Sequence, residues 1–364
     1  MHVCLICIEL FGDGIYGGFG RATRFIGREL VRRGVRVTVV VPRRSENHPD
    51  IYELDGMTVR QYRPHQPWVA WRIFRSCRAD VYHSQDASVG TAIARWAAPD
   101  SRHVVTLRDP LDDRDWKLET DYAGPSRAGW LKYRLFIDNP LVVAAVRRAH
   151  GLYCAAEFLI PKVTRKYRLN FRPGFLPTPV DVPHAVVKAD QPTVCFVGRW
   201  EGRKRPELFF ELAHEFPEVR FIAVGGARDP ERDRQLRETF AGIPNLEMTG
   251  ILNQFETEAL SAVLGKCWIL VNTSPREGLP ITFLEAAAHR CAILSFRDPG
   301  GFASRFGCVA DEGRLRDGLA FLLAEERWKE RGDEGYRFVN QTYSTGKAME
   351  AHLAAYRTES CGTA

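Results

Sequence analysis

The sequence has no apolar run near the roughly 20 residues that a membrane-crossing helix requires. Its longest runs, such as Val37–Val41 and Cys267–Val271, are far shorter. Residues Met1–Glu9 are apolar after the first methionine, but they lack a basic leading segment and a small-residue cleavage site. With Gly12–Gly20 following at once, they read as a buried first strand, and the protein is expected in the cytoplasm or on the cytoplasmic face of a membrane. A disulfide framework is also missing. The nine cysteines are odd in number and scattered from Cys4 to Cys361 without repeated spacing. Cys4 and Cys7 form a C-x-x-C, but residues three apart on a strand point to opposite faces, and no second pair answers them. Buried thiols in a reducing compartment are expected, with no metal site. No nucleic-acid-binding motif is present, so no nucleic acid partner is expected.

What is there suits a soluble two-domain protein: 364 residues, 45% hydrophobic and 26% charged. Charge is unevenly spread. Residues up to Val186 hold 28 Lys and Arg against 19 Asp and Glu, and the remainder 23 against 26. A basic first half suits an anionic surface or substrate.

The periodicity alternates strand and helix. Met1–Leu10 reads as a strand, Arg21–Arg33 as a helix with Phe25, Ile26 and Leu30 on one face, and Val35–Pro42 as a second strand. That βαβ unit implies a parallel sheet. Short strands fit Ala79–His83, His103–Leu107 and Leu152–Cys154. The pattern restarts with strand Pro192–Gly198, helix Pro206–Phe216, and strands Val219–Val224, Leu246–Gly250, Trp268–Val271 and Ala292–Ser295. The helix Ile281–Arg290 lies between the last two. Two such series predict an α/β protein with two Rossmann-like, doubly wound domains facing each other across a cleft. The expected parts are residues 1–183, 184–345, and a closing helix with a tail over 346–364. Phe175–Gln191, with Pro177, Pro179 and Pro183, is the expected linker.

Gly12, Gly14 and Gly17 spell a dinucleotide fingerprint, but the expected helix does not begin before Gly20 and the second strand ends in Pro42-Arg43-Arg44 without an acid for a ribose. Those arginines keep an NADP-dependent reductase as an alternative. The stronger reading is Gly17-Gly18-Phe19-Gly20 as amides at a helix start with no Cβ to block a ligand, with Gly18 a candidate donor contact. A turn that merely needs glycine is the plainer account. A second motif, Gly198-Arg199-Trp200-Glu201-Gly202-Arg203-Lys204, sits at a strand end, where Arg199 and Lys204 can converge on a leaving diphosphate. A third, Ser274-Pro275-Arg276-Glu277-Gly278-Leu279-Pro280, leads into a helix carrying Glu285. Its opening residues, Ile281 and Thr282, offer amides to phosphate. Glu285 is placed to accept both hydroxyls of a ribose.

Gly198-Arg199, Lys204 and Glu277-Gly278 through Glu285 resemble the retaining glycosyltransferases of family 4, whose fold is GT-B; Gly17–Gly20 and Arg24–Val41 resemble that family's opening segment. The resemblance implies a nucleotide-sugar donor, UDP- or GDP-linked, held mainly by the second domain, and an acceptor held mainly by the first. Arg199 and Lys204 match the cations on the donor diphosphate. Glu285 matches the acid on the ribose, and Glu277, with Gly278, Leu279 and Pro280 after it, the group at the donor sugar. Hexosyl transfer with retention, no metal and no cofactor are implied. A nucleotide-sugar epimerase or a phosphorylase of the same fold is the alternative.

Two departures stand out. Where family members often carry a histidine after the strand His103–Leu107, this chain has Arg108-Asp109. Arginine donates hydrogen bonds but takes no proton at neutral pH. His83, at another strand end, is the substitute candidate, and His83, Arg108 and Asp109 form the acceptor-side set. His289-Arg290-Cys291-Ala292 stands where a glycine and a proline are common. Within Arg60–Arg78, Trp68, Trp71, Arg72 and Arg75 share one helical face, a pattern suited to an anionic membrane. This predicts peripheral membrane contact and a lipid-linked or otherwise anionic acceptor. A core helix with solvated arginines is the plainer reading.

Overall fold

The computed structural model describes residues 1–12, 17–43, 49–122 and 127–357. They form two compact units. The first comprises the described residues of Met1–Asp113, Pro125–Pro179 and Thr345–Ala364, and the second those of Arg114–Gly124 and Val180–Ser344. The chain thus leaves the first unit at Pro179, a little before the expected boundary. The last described helix, Thr345–Arg357, returns to the first unit. The expected tail, Thr358–Ala364, lies outside the described residues.

The first unit is built on β1 (His2–Ile6), β2 (Arg36–Pro42), β3 (Ile51–Leu54), β4 (Met57–Tyr62), β5 (Val81–Ser84), β6 (Arg102–Leu107), β7 (Gly151–Cys154) and β8 (Gly174–Phe175). Their order is β3-β4-β2-β1-β5-β6-β7-β8. All pairs are parallel except β3 with β4. β1 reads as an unbroken apolar run because both faces of a doubly wound sheet are covered. Val3, Leu5 and Cys7 enter one core cluster, and Cys4 and Ile6 the other. The two cysteines therefore do face opposite ways. The antiparallel hairpin β3–β4 is an addition to the expected strands. Asp55 and Gly56, at φ 51° and 78°, make its tight turn, and that Asp-Gly pair was the available signal.

The second unit holds β9 (Thr193–Val197), β10 (Arg220–Val224), β11 (Leu246–Gly250), β12 (Ile269–Asn272), β13 (Ala292–Ser295) and β14 (Gly307–Val309), in the order β11-β10-β9-β12-β13-β14. Every pair is parallel. The chain winds outward in both directions from the β9/β12 junction, which is where ligands of such sheets bind. The expected linker is no loose tether. Leu176–Val180 are buried, and the Lys188 ammonium donates to the carbonyls of Cys267 and His289.

Beyond the strand ends of the second sheet the loops are drawn together. Gly198 N–H donates to Val224 O at 3.0 Å and Gly225 N–H to Gly250 O at 2.9 Å. Gly225 has φ +142°, and a Cβ there would lie 1.8 Å from Gly198 O. Gly225→Ala combines an unfavourable backbone conformation with a backbone clash, and should cost about 2–4 kcal/mol in denaturant unfolding. An unchanged unfolding midpoint would mean that these loops part freely.

Candidate functional site

The loops after β9 and β12 lie side by side because their strands are hydrogen-bonded neighbours, Ile269 opposite Val194 and Leu270 opposite Cys195. After β9 the chain passes Gly198 and Arg199 into the turn Gly202–Lys204. After β12 it runs through Thr273–Pro280 into the helix Ile281–Ala288. The Thr273 hydroxyl donates to Lys204 O at 2.6 Å, stitching the two loops.

The Lys204 ammonium forms an ion pair with Glu277 Oε1. Burial lowers the Lys204 pKa, and Glu277 works against that. For Glu277, burial alone would raise the pKa, but Lys204 and then Arg203 outweigh it and hold the carboxyl down to about 2. Glu277 is therefore a carboxylate at neutral pH. Arg203 Nη1 lies 3.9 Å from Glu277 Oε2, and Asn272 Nδ2 lies 3.5 Å from Oε1. The Arg199 guanidinium is half-buried and makes no hydrogen bond or ion pair among the described residues. A cation left in this state beside a second one is a site for an anion. Gly278, Leu279 and Pro280 are half-buried along the loop, and the helix begins at Ile281 and Thr282 without a side-chain cap, so its first amides are open to an acceptor. Glu285, one turn in, is half-buried.

Three of the expected features thus gather around one junction: the Arg199–Lys204 turn, the Glu277–Pro280 loop and the helix bearing Glu285. Arg203 was present in the motif without a role, while Asp115 and Glu119, which hold Arg276, gave no sequence signal because they are more than 150 residues away. The departure at His289-Arg290 has a local cause. Arg290 closes the helix at φ 57°, a conformation easier for glycine, and is held there by an ion pair with Asp333 and by the Tyr336 ring 4.1 Å away.

The first unit corrects several expectations. Its first helix runs Gly18–Arg32, starting three residues before the expected Arg21, because Gly17 adopts the extended N-cap conformation. Gly20 N–H donates to Glu9 Oε1 at 3.1 Å, and a Cβ on Gly17 would lie 2.0 Å from that oxygen. The positive end of this helix is already met by a carboxylate, which disfavours a pyrophosphate there and with it the dinucleotide reading. Gly14 and Arg44 of that reading lie outside the described residues. Gly18 itself is exposed.

His83 is a core residue. It is fully buried, with Nδ1 2.7 Å from the Tyr356 hydroxyl and Nε2 2.8 Å from Thr106 Oγ1, and burial pushes its pKa well down. Such a ring meets no acceptor, so the cleft role fails. Arg108 is buried too, donating to Gln85 Oε1 at 2.6 Å and Thr178 Oγ1 at 2.5 Å. Burial lowers its pKa to about 10, so it remains a cation and acts as a tie between strand ends. Asp109 is half-buried beside it. Asp86, just past β5, is raised to about 7, chiefly by burial; Ala87 N–H and Arg108 pull the other way.

Comparisons with known proteins bear on the fold and the family. Residues 16–182 match the family model described as Glycosyltransferase Family 4, and residues 182–307 the one described as Glycosyl transferases group 1. The chain has the GT-B fold, and each half matches a glycosyltransferase family model. Among solved structures, sucrose-phosphate synthase from Thermosynechococcus elongatus superposes with a TM-score of 0.75 at 16% identity, covering 98% of each chain. Anabaena HepE in complex with UDP and glucose gives 0.69 at 12% identity, covering 97% of this chain and 98% of that one. At those identities the likeness is one of fold. The O-antigen biosynthesis glycosyltransferase WbnH of Escherichia coli is 34% identical over 125 residues, which is 33% of this chain and 32% of that protein. The match thus spans about a third of that relative's length.

The Asp86 shift gives a test of the first unit. Its carboxyl is raised above the ordinary value of 3.8, so the fold favours the protonated form. The resulting penalty is absent below about pH 4, grows as pH rises, and is complete above about 7. Asp86→Asn should leave stability unchanged at pH 4 and raise it by about 2 kcal/mol at pH 8. Equal effects at both pH values would show that Asp86 is not buried as an acid.

Proposed function

We propose that the protein is a retaining glycosyltransferase that moves a hexosyl group from a UDP- or GDP-sugar. The observation that carries this reading is the meeting of Arg199, which has no anionic partner among the described residues, with Lys204 and Glu277 at the β9/β12 junction, beside an uncapped helix start. A diphosphate seated there would meet Arg199, Lys204 and the amides of Gly278, Leu279, Ile281 and Thr282. Glu285 would take the ribose hydroxyls, and Glu277, ionised at neutral pH, would sit at the donor sugar. As the glycosidic bond lengthens, negative charge gathers on the leaving phosphate, and preorganised cations stabilise it without needing to reorganise. The same phosphate oxygen can take the acceptor proton on the face that it leaves, which retains configuration. The protein's own cations meet the charge in this scheme, so it calls for no metal and no cofactor. HepE, solved with UDP and glucose, supports a nucleotide-sugar partner by fold. The Glu9 carboxylate at the first helix start weighs against the reductase alternative.

UDP, GDP and ADP should be compared by thermal shift, and at least one should raise the melting temperature. With the sugar of that nucleotide, Arg199→Ala or Lys204→Ala should slow transfer at least about a hundredfold, the usual cost of one lost charge donor. No shift with any of the three, or near-normal turnover in both variants, would refute the assignment.

For the acceptor, we propose a lipid-linked or anionic molecule met at the cytoplasmic membrane surface. The support is an exposed face of the first unit. On the helix Pro67–Cys77, Ala70, Phe74 and Cys77 are buried, while Trp68, Arg72 and Arg75 are exposed. Trp71 packs 5.8 Å from the ring of Trp96, which is 74% exposed, and the Arg75 guanidinium lies 5.3 Å from the Trp71 ring. No helix among the described residues is long and apolar enough to cross a membrane. Exposed indoles beside guanidinium groups suit the headgroup layer of an anionic bilayer. Sedimentation with vesicles should rise with anionic lipid, fall with salt, and drop about tenfold in Trp96→Ser/Arg72→Ser. Binding indifferent to lipid charge would favour a soluble acceptor.

A further inference from the structure

Between two stretches of the first unit the chain inserts Arg114–Tyr122 into the second, and this strap holds the loop that carries Glu277. Most of it is one helix, Asp113–Asp121, with Trp116 and Glu119 buried. Arg276, the residue before Glu277, is 6% exposed. Its Nε lies 2.9 Å from Asp115 Oδ1 and its Nη1 3.1 Å from Glu119 Oε1. The same Glu119 oxygen is 3.2 Å from Arg203 Nε, and Arg203 Nη1 donates to Arg276 O at 2.6 Å. One buried carboxylate therefore ties the turn before Lys204 to the loop before Glu277.

We propose that Glu119 is a positioning residue for the donor site, acting through Arg203 and Arg276. Held by Glu119, Arg203 stands off from Glu277 at 3.9 Å and leaves that carboxylate to Lys204. Without it, Glu277 is the carboxylate left within reach of Arg203 among the described residues, and Arg203 would compete with Lys204 for it. Arg276 would lose its Glu119 anchor, and the loop from Glu277 to Pro280 would have to be ordered at the expense of donor binding. The helix is far from the site in sequence and, among the described residues, makes no hydrogen bond or ion pair with Arg199 or Lys204, so the effect is transmitted through the two arginines.

The proposal rests on the donor-site reading above, and its sign distinguishes it from simple charge. Removing a carboxylate near a cluster of cations should tighten binding of a diphosphate by Coulomb's law, whereas loss of positioning should weaken it. Calorimetric titration of the full chain with UDP, or whichever of UDP, GDP and ADP binds, should show Glu119→Gln weakening affinity about tenfold, the scale of one coupled contact. Glu119→Asp should recover most of that loss. Asp115→Asn, at a site with some solvent access, should weaken binding in the same direction and serves if Glu119→Gln does not fold. Asp55→Asn, which removes the Arg24 ion pair of the first unit, should lower the melting temperature and leave nucleotide affinity unchanged. Unchanged or tighter binding in Glu119→Gln would overturn the positioning role alone. Wild-type protein that binds none of the three nucleotides would overturn the donor site and this role with it.

Discussion

Most of the candidate site depends on the pairing of β9 with β12. Those strands are separated by β10, β11 and their helices in sequence, yet they are neighbours in the sheet because the chain winds outward in both directions from them. At such a junction the loops beyond the strand ends diverge and leave a crevice. The Gly198–Lys204 turn and the Glu277–Pro280 loop occupy its two sides. The chemistry follows from that adjacency: Lys204 reaches Glu277, the Thr273 hydroxyl reaches the Lys204 carbonyl, and Arg199 is left without an anion among the described residues.

The electrostatics of this junction are those of a site balanced for an incoming charge. Four cations, Arg199, Arg203, Lys204 and Arg276, are gathered near three carboxylates, Asp115, Glu119 and Glu277. Each carboxylate has at least one partner, and burial makes every unpaired charge expensive. Arg199 has no anionic partner among the described residues, and Glu277 is already ionised at neutral pH. Trp200, fully buried under the same loop with the Arg237 guanidinium 4.7 Å from its ring, gives the turn a rigid floor.

The first unit shows the opposite use of similar residues. Arg108, Gln85 and His83 form a buried chain in which Arg108 donates to Gln85 and the Gln85 amide reaches His83 Nδ1 at 3.1 Å. The Tyr356 hydroxyl, from the closing helix, meets the same ring nitrogen, and Thr106 Oγ1 meets the other. These groups tie the ends of β5 and β6 to the C-terminal helix. Glu9 does comparable work at the first helix, filling with protein the place where a Gly-rich loop would otherwise receive a ligand.

The sequence by itself determined the class of fold and the position of the two candidate donor-side motifs. Unbroken apolar runs such as His2–Ile6 mark strands covered on both faces, and their alternation with amphipathic segments such as Gly18–Arg32 leaves a doubly wound sheet as the main solution. Glycine, cation and acid at strand ends are local signals, so Gly198-Arg199, Lys204 and Glu277 through Glu285 could be read in order. The hairpin turn at Asp55-Gly56 is a local signal of the same kind. Tertiary structure alone decided which polar groups are spent on the fold and which remain for a ligand. His83 and Arg108 look like site residues at strand ends, but their burial depends on Thr106, Thr178, Gln85 and Tyr356, which come from separate elements. Glu119 looks like a surface acid on a polar helix, and becomes a buried clamp only because Arg203 and Arg276 arrive from other strand ends. Burial and pairing are properties of distant segments brought together, and no spacing along the chain encodes them.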